Sequence, residues 1–392
     1  MNRQYVGQTF RFAAILGLLA LGVSTTAAPQ ATAVVTVTNP LAAARPSETI
    51  ELGIDALKRA LTFDDVRKIQ VKDTKTGKVL LTQAVDTNDD GTFEYVIFQA
   101  DLAASATQTF SLTVGERLMA RKDDFRAYGR FVRERRDDFV WENDLVAHRM
   151  YGAALETWAQ EPLTSSAVDI WVKKSPKMVV NEWYMVDDYH ADHGEGADFY
   201  SAGRTRGCGG NAIFNTGKLF PSTNFRGSRV LSNGPLRILF ELTYDQWDAG
   251  GQKLSETKRI SLDAGHRLNR FESRYNVPSP RVLQQAAGIK KAATSDVSVR
   301  KDAGVVRTWE PFTNNNGFVG CGVIVDPRDV VDAPELDGNV LLATRVAAGT
   351  PAVYWAGSAW DRGGSITTAA LWDKYLDEWA ARLRAPVTVQ VK

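Results

Sequence analysis

Two cysteines and four histidines are all that this 392-residue chain contains. Two thiols cannot build a cysteine-dense scaffold or a four-thiolate zinc site, so the fold must rest on a hydrophobic core. An excess of one charge is missing too, with 47 basic side chains against 46 acidic ones. Near-neutrality argues against nucleic acid, whose affinity comes mainly from neutralising phosphates, and leaves room for a local basic patch that holds an anionic sugar. The sequence has no G-x-S-x-G elbow, no phosphate-cradling G-x-x-x-x-G-K and no dinucleotide fingerprint, which removes the chemistries those backbone shapes serve. Linkers, low-complexity tracts and repeats of fixed period are absent as well, so residues 34–392 are expected to form one continuous unit.

Apolar runs are short everywhere. The one at the start, Phe12 to Val23, follows Arg3 and Arg11 and precedes the small residues Ala31, Thr32 and Ala33. Such a pattern reads as a secretion signal over residues 1–33. A bilayer-spanning helix needs about 20 apolar residues, so no membrane insertion is expected once the signal is removed, and no cysteine stands near the cleavage region to carry a lipid. The expected location is periplasmic or secreted. In that oxidising setting Cys208 and Cys321 could pair, although spacing alone does not decide it. Cys208, set among glycines in "RGCGG", reads as structural, because a free thiol nucleophile would be open to oxidation there.

What the chain does have is a succession of short valine-, threonine- and aromatic-rich segments divided by turn signals. "VVTVTN" at 34–39 alternates, and the stretch from Lys68 reads as strands broken at "TKTG" and "TNDDG". "SAVDIWVKK", "RILFELTYDQW", "KRISLD" and "LNRFESRYNV" continue the theme, which predicts a mostly β protein, a large antiparallel β-sandwich. One helix is expected near the end, where Leu371, Tyr375, Trp379 and Leu383 recur every four residues until Pro386. A second, short helix is marked weakly at "GIDALKRALT", and "VTVQVK" reads as a terminal strand.

Chemistry-bearing residues gather in two stretches. In "YHADHGEGADFYSAGRTRGCGG" the glycines disfavour a helix, which leaves a loop. There His190, His193 and Glu195, with Asp192 or Asp198, could converge on a divalent metal. A metal-free alternative has His190 or His193 as a base, since histidine titrates near neutral pH, with Tyr184, Tyr189 or Tyr200 as acid. Arg204 and Arg206, two apart, would share one face of a strand and grip a carboxylate. In the second stretch, "RRDDFVWENDLVAHRMYG", Trp141, Glu142, Asn143, His148 and Arg149 have the mix of ring, amide and charge that a sugar site requires. The plain alternative for both is a hydrogen-bonded loop and a core strand. A further candidate, "DTNDDG", opens like a calcium loop at Asp86, Asn88 and Asp90, but Ile97 stands where the closing glutamate belongs.

At "DDFVWENDLVAHRMYG", "YHADHGEGADFYSAGRTRGCGG", "NGPLRILFELTY" and "YWAGSAWDRGG" the chain resembles a family of exported bacterial proteins catalogued as domain of unknown function 4861. That resemblance implies the β-supersandwich architecture of galactose mutarotases and several polysaccharide lyases, and a setting of pectin and uronic-acid degradation. It assigns no catalytic residue. The expected function is therefore a carbohydrate-active enzyme acting on an acidic poly- or oligosaccharide, by β-elimination. His190 or His193 would be base, Tyr200 or Tyr189 acid, and Arg204 with Arg206 the clamp; Trp141, Glu142, Asn143, His148, Arg149, Tyr184 and Glu195 would bind substrate. No cofactor is required by this reading, and a divalent metal, calcium or zinc, is the alternative. A glycoside hydrolase using Glu142 and Glu195, a mutarotase-like epimerase, and a non-catalytic sugar-binding protein that uses its ten tryptophans are the other readings.

Overall fold

Valine and threonine alternate in TAVVTVT, and the strand Thr32–Thr38 buries Ala33, Val35 and Val37 along one face. It is the first element of a computed structural model that describes residues 32–160, 163–186, 188–279 and 281–392. The expected secretion signal lies outside the described residues except for Thr32 and Ala33, which pair with Thr113 and Leu112. Thr32–Thr38 runs between Thr107–Val114 and Thr388–Val391 in a five-stranded sheet that Ile69–Asp73 and Val79–Leu80 complete. A three-stranded sheet of Arg45–Gly53, Tyr95–Leu102 and Thr82–Val85 packs on it. Val35, Ile50, Phe98 and Phe110 fill the space between them, with Leu57 of helix α1 (Ile54–Ala60).

The rest is built on a long antiparallel sheet of eight strands. In spatial order they are Gly227–Asn233, Arg237–Asp248, Lys253–Asp263, Leu268–Asn276, Ala352–Trp360, Phe318–Ile324, Val305–Pro311 and Asp296–Arg300. One of its faces meets two smaller sheets through a shared core. The five-stranded one, in the order Gly196–Ala197, Asp169–Lys173, Val146–Tyr151, Asp138–Asn143, Ala127–Val132, brings Phe139 onto Phe240, with ring centroids 4.1 Å apart. The other, which includes Cys208–Asn215, Leu283–Lys290 and Asn339–Val346, brings Ile289 and Leu342 into the same core as Tyr354. Cys208 and Cys321 form a disulfide between these two packed sheets, with Cα atoms 5.5 Å apart.

On the opposite face lies helix α3 (Ala369–Arg384), capped by Thr368, whose side chain accepts from the Leu371 amide. The expected stripe is offset by one residue: Trp372, Leu376 and Ala380 are buried against Leu268, Val305 and Ile324, while Leu371 is exposed and Tyr375, Trp379 and Leu383 sit at the margin. Glycine sets the seating. A Cβ on Gly322 would come within 2.7 Å of Leu376, so the bare backbone lets the helix lie close on the sheet. The molecule is thus a mostly β, antiparallel assembly with a C-terminal helix, as the sequence pattern indicates.

Candidate functional site

Side chains alternate along the hairpin formed by Asp138–Asn143 and Val146–Tyr151, and both faces are covered. Phe139, Trp141, His148 and Met150 turn toward the large sheet. Asp138, Glu142, Arg149 and Tyr151 turn the other way, joined by Asp169, Trp171 and Lys173 of the neighbouring strand. This second face would lie open but for the segment from Val179 to Asp198. Within it helix α2 (Val180–Val186) lays Val180, Trp183 and Tyr184 on the sheet, and Tyr189 stacks on Trp171 at 4.9 Å. The short helix is absent from the sequence expectation, which places a loop from Tyr189 onward and assigns nothing to Val180–Val186.

Beneath this cover two arginines face three aspartates. Arg149 donates from Nε and Nη2 to Asp169 Oδ2 at 3.0 and 2.5 Å, and from Nη2 to Asp198 Oδ2 at 2.9 Å. Its Nη1 stands 3.7 Å from Asp138 Oδ2, to which Arg135 and the Tyr184 hydroxyl also donate. The Tyr151 hydroxyl donates to Asp169. Rings of Tyr151, Trp171 and Tyr189 surround the Arg149 guanidinium at 5.3 to 5.8 Å, which adds cation–π attraction in a dry setting. Burial works against the Arg149 charge, but Tyr151, Asp169 and Asp198 outweigh it and hold the group well above the ordinary arginine range. Asp138 goes the other way, because burial pushes it above the usual carboxylate range despite Arg149 and Arg135.

At the rim stands His190. Its Nδ1 lies 3.1 Å from the Asp198 carbonyl oxygen and 3.7 Å from Asp198 Oδ2, and 68% of its side chain is exposed. A carbonyl can only accept, so Nδ1 carries the proton and Nε2 of the neutral ring keeps its lone pair. The Tyr189 ring lies 4.7 Å from the imidazole, and burial raises its phenol, which stays protonated. The arrangement can therefore accept a proton at Nε2 on a ring oriented from behind by Asp198.

The two stretches singled out in the sequence do meet here, through Arg149, Tyr184, Tyr189 and His190. Other expected members go elsewhere. His193 pairs with Asp188 at 2.8 Å and Glu195 with Lys177 at 3.0 Å, so His190, His193 and Glu195 do not converge as a metal set. Among the described residues, the carboxylates close enough to share an ion are Asp86, Asp90 and Glu94; the third is Glu94 rather than a residue at 97. Their turn already donates its amides and hydroxyls to them, Asn88 and Asp89 to Asp86 and Thr87 to Glu94. Arg204 and Arg206 lie in a turn, not on a strand: Arg204 is exposed, while Arg206 is buried, donates to Ser165, Ser166 and the Asn211 carbonyl, and is pulled down by burial to about 10. They do not form a clamp.

Trp141 is not available for stacking on a sugar. It is fully buried, donates from Nε1 to Asn269 Oδ1 at 2.7 Å, and stacks on His148 at 5.3 Å. His148 accepts from Asn269 at Nε2 and is buried in the core. Asn143 caps the hairpin turn, accepting from the Leu145 and Val146 amides. Glu142 is buried against Lys173 and accepts from the Val179 and Val180 amides, so it fixes the start of α2 rather than facing substrate. Tyr200 belongs to the main core and its hydroxyl has no hydrogen-bond partner among the described residues.

Asp138 and Asp169 are the members that sequence reasoning missed. Their signal was present: each is an acid immediately followed by three apolar residues at the start of a strand, "DFVW" and "DIWV". Such a charge is buried only when it is paired.

Comparison with known proteins extends over the same residues. The model of the family described as Domain of unknown function (DUF4861) matches residues 37–389. A relative from Formosa agariphila, named Uncharacterized protein P7, is 32% identical over 375 residues, covering 91% of this chain and 93% of its own. Among solved structures, an alpha-mannosidase from Enterococcus faecalis V583 superposes with a TM-score of 0.50 at 10% identity, over 93% of this chain and 46% of its own. A protein in glycosyl hydrolase family 38 from Enterococcus faecalis gives 0.52 at 12%, over 93% and 48%. The chain spans about half the length of these two structures, and the likeness is one of fold.

Proposed function

The chain belongs to the DUF4861 family, and from that premise we propose that it is an exported carbohydrate-active enzyme that cleaves uronic-acid-containing glycans by β-elimination. The observation that carries the reading is His190. Its Nδ1 is engaged by Asp198 and its other nitrogen stands on an exposed edge. In an elimination Nε2 takes the proton next to the sugar carboxylate, a double bond forms, and the glycosidic oxygen leaves with a proton from an acid. Tyr189, held protonated beside the imidazole, is that acid. Beneath them Arg149 and its three carboxylates act as positioning residues that keep Asp198 in place. Export is supported by the buried Cys208–Cys321 disulfide, a bond that persists in oxidising compartments.

Purified protein incubated with pectic, alginate-like and glucuronan substrates should release products that absorb as unsaturated uronates. His190→Ala should lower that rate by about 100-fold or more, and Tyr189→Phe should lower kcat while leaving the fold intact. Absence of unsaturated product across the whole panel overturns elimination. Hydrolysis is the second reading, favoured by the names of the two solved structures of similar fold, an alpha-mannosidase and a glycosyl hydrolase family 38 protein. It requires a carboxylate pair other than Glu142 and Glu195, since Glu142 is fully engaged, and new reducing ends without unsaturation would establish it.

A further inference from the structure

Two adjoining cavities, of about 470 and 530 Å³, lie along helix α3 and the outer face of the eight-stranded sheet and share Trp355 and Leu383 as a common wall; the first is also lined by Glu48, Thr49 and Glu51 of Arg45–Gly53 and by Val389 of Thr388–Val391. Both volumes fall in the range of ligand sites. They lie on the side of the large sheet away from His190 and from the five-stranded sheet that contains Asp138–Asn143, because Trp355 packs with the α3 cluster while its neighbours Tyr354 and Ala356 face the main core. Trp379 and Leu383, left at the helix margin by the offset of its buried stripe, form part of the lining, and the buried Trp379 indole nitrogen has no hydrogen-bond partner among the described residues.

Charge is abundant in this trough and balanced. Arg237 is held by Asp263 at 2.5 Å and by Glu51 at 2.5 Å, Arg382 stands 3.8 Å from Glu48, and Arg270 donates to Glu272 at 2.8 Å. In the second lobe Arg328 pairs with Asp326 at 2.5 Å, and Arg384 and Asp329 add one charge of each sign to the lining. Guanidiniums already matched by carboxylates offer a polyanion little net attraction. They offer a polyol both donors and acceptors, and indole faces suit the apolar faces of pyranose rings.

We propose that this trough is a glycan-binding site separate from the His190 site, taking a neutral, hydroxyl-rich oligosaccharide that passes over Trp355 with a pyranose ring in each lobe. The inference is independent of the elimination reading and stands if that fails. Xylohexaose and cellohexaose serve as neutral probes and hexagalacturonate as the charged comparator, followed by tryptophan fluorescence and calorimetry on the full chain. At least one neutral probe should bind, with a Kd that changes less than about twofold between about 0.05 and about 0.5 M sodium chloride. Trp355→Ala should weaken it about tenfold, equivalent to the loss of one aromatic contact of about 1.4 kcal/mol. Arg270→Ala, on a half-exposed side chain whose loss leaves the core intact, should weaken it severalfold with an unchanged melting curve. Failure of both neutral probes to bind overturns the proposal, as does binding that Trp355→Ala and Arg270→Ala leave untouched, or a preference for hexagalacturonate that salt abolishes.

Discussion

Arg149 holds three buried carboxylates in one place, and its removal would strand them. Arg149→Met should therefore lower stability by about 3–5 kcal/mol, the cost of leaving buried charges unpaired. Arg149→Lys should rescue little, since a single ammonium cannot reproduce the planar fork; a lowered urea midpoint with unchanged slope is the readout. His148 supplies a pH prediction. Burial pushes it from 6.5 down to about 3, so between those values the unfolded chain binds a proton that the folded one refuses. Stability then falls as pH falls through that window, by about 1.4 kcal/mol per unit at most. His266, lowered by burial as well, acts with the same sign. Urea unfolding at pH 7 and pH 5 should show His148→Gln losing less than the parent; equal losses would refute it. At this scale the sequence was half legible. Residue type singled out His190, Arg149, Tyr184 and Tyr189, which the fold brings together, but strand parity, which sends Trp141 and His148 into the core and Arg149 out of it, follows from register that composition does not reveal.

Elements were easier to read than their faces. The alternating segments became strands, and the four-residue recurrence became α3, because local patterning carries both periods. The buried stripe of α3 moved by one position because Trp372 fits against the glycines of Phe318–Ile324, donating from Nε1 to the Cys321 carbonyl at 3.1 Å, and that contact lies far away in sequence. Helix α2 escaped notice for a similar reason: it is one short turn-rich segment held by Glu142 and by aromatic packing rather than by its own pattern. Gly196 anchors the far end of the same cover. Its φ of +114° and a Cβ position 2.0 Å from the Val172 carbonyl exclude a side chain. Gly196→Ala should cost about 1–3 kcal/mol, free the 188–195 segment for proteolysis, and reduce activity with His190; a variant as protease-resistant as the parent would count against this account.

On the scale of the whole molecule, the disulfide joins residues 113 apart and ties one packed sheet to the next. Replacing both cysteines by alanine should cost about 2–5 kcal/mol and lower the denaturant midpoint, an effect that reductant reproduces only after partial unfolding, since both sulfurs are buried. The antiparallel class was readable from turn spacing, whereas which sheets stack was not, because stacking is a property of distant partners. One pairing has consequences of its own. Thr32–Thr38 finds its outer neighbour in Thr388–Val391, with Val34 and Lys392 exchanging backbone hydrogen bonds at 2.8 and 2.9 Å. A chain clipped after Pro386 would carry a bare valine-rich margin, TAVVTVT, ready to zip onto the same margin of another clipped molecule. Light scattering of such a truncation should rise with concentration where the intact chain stays clear, which makes the tail a guard against self-association as much as a strand.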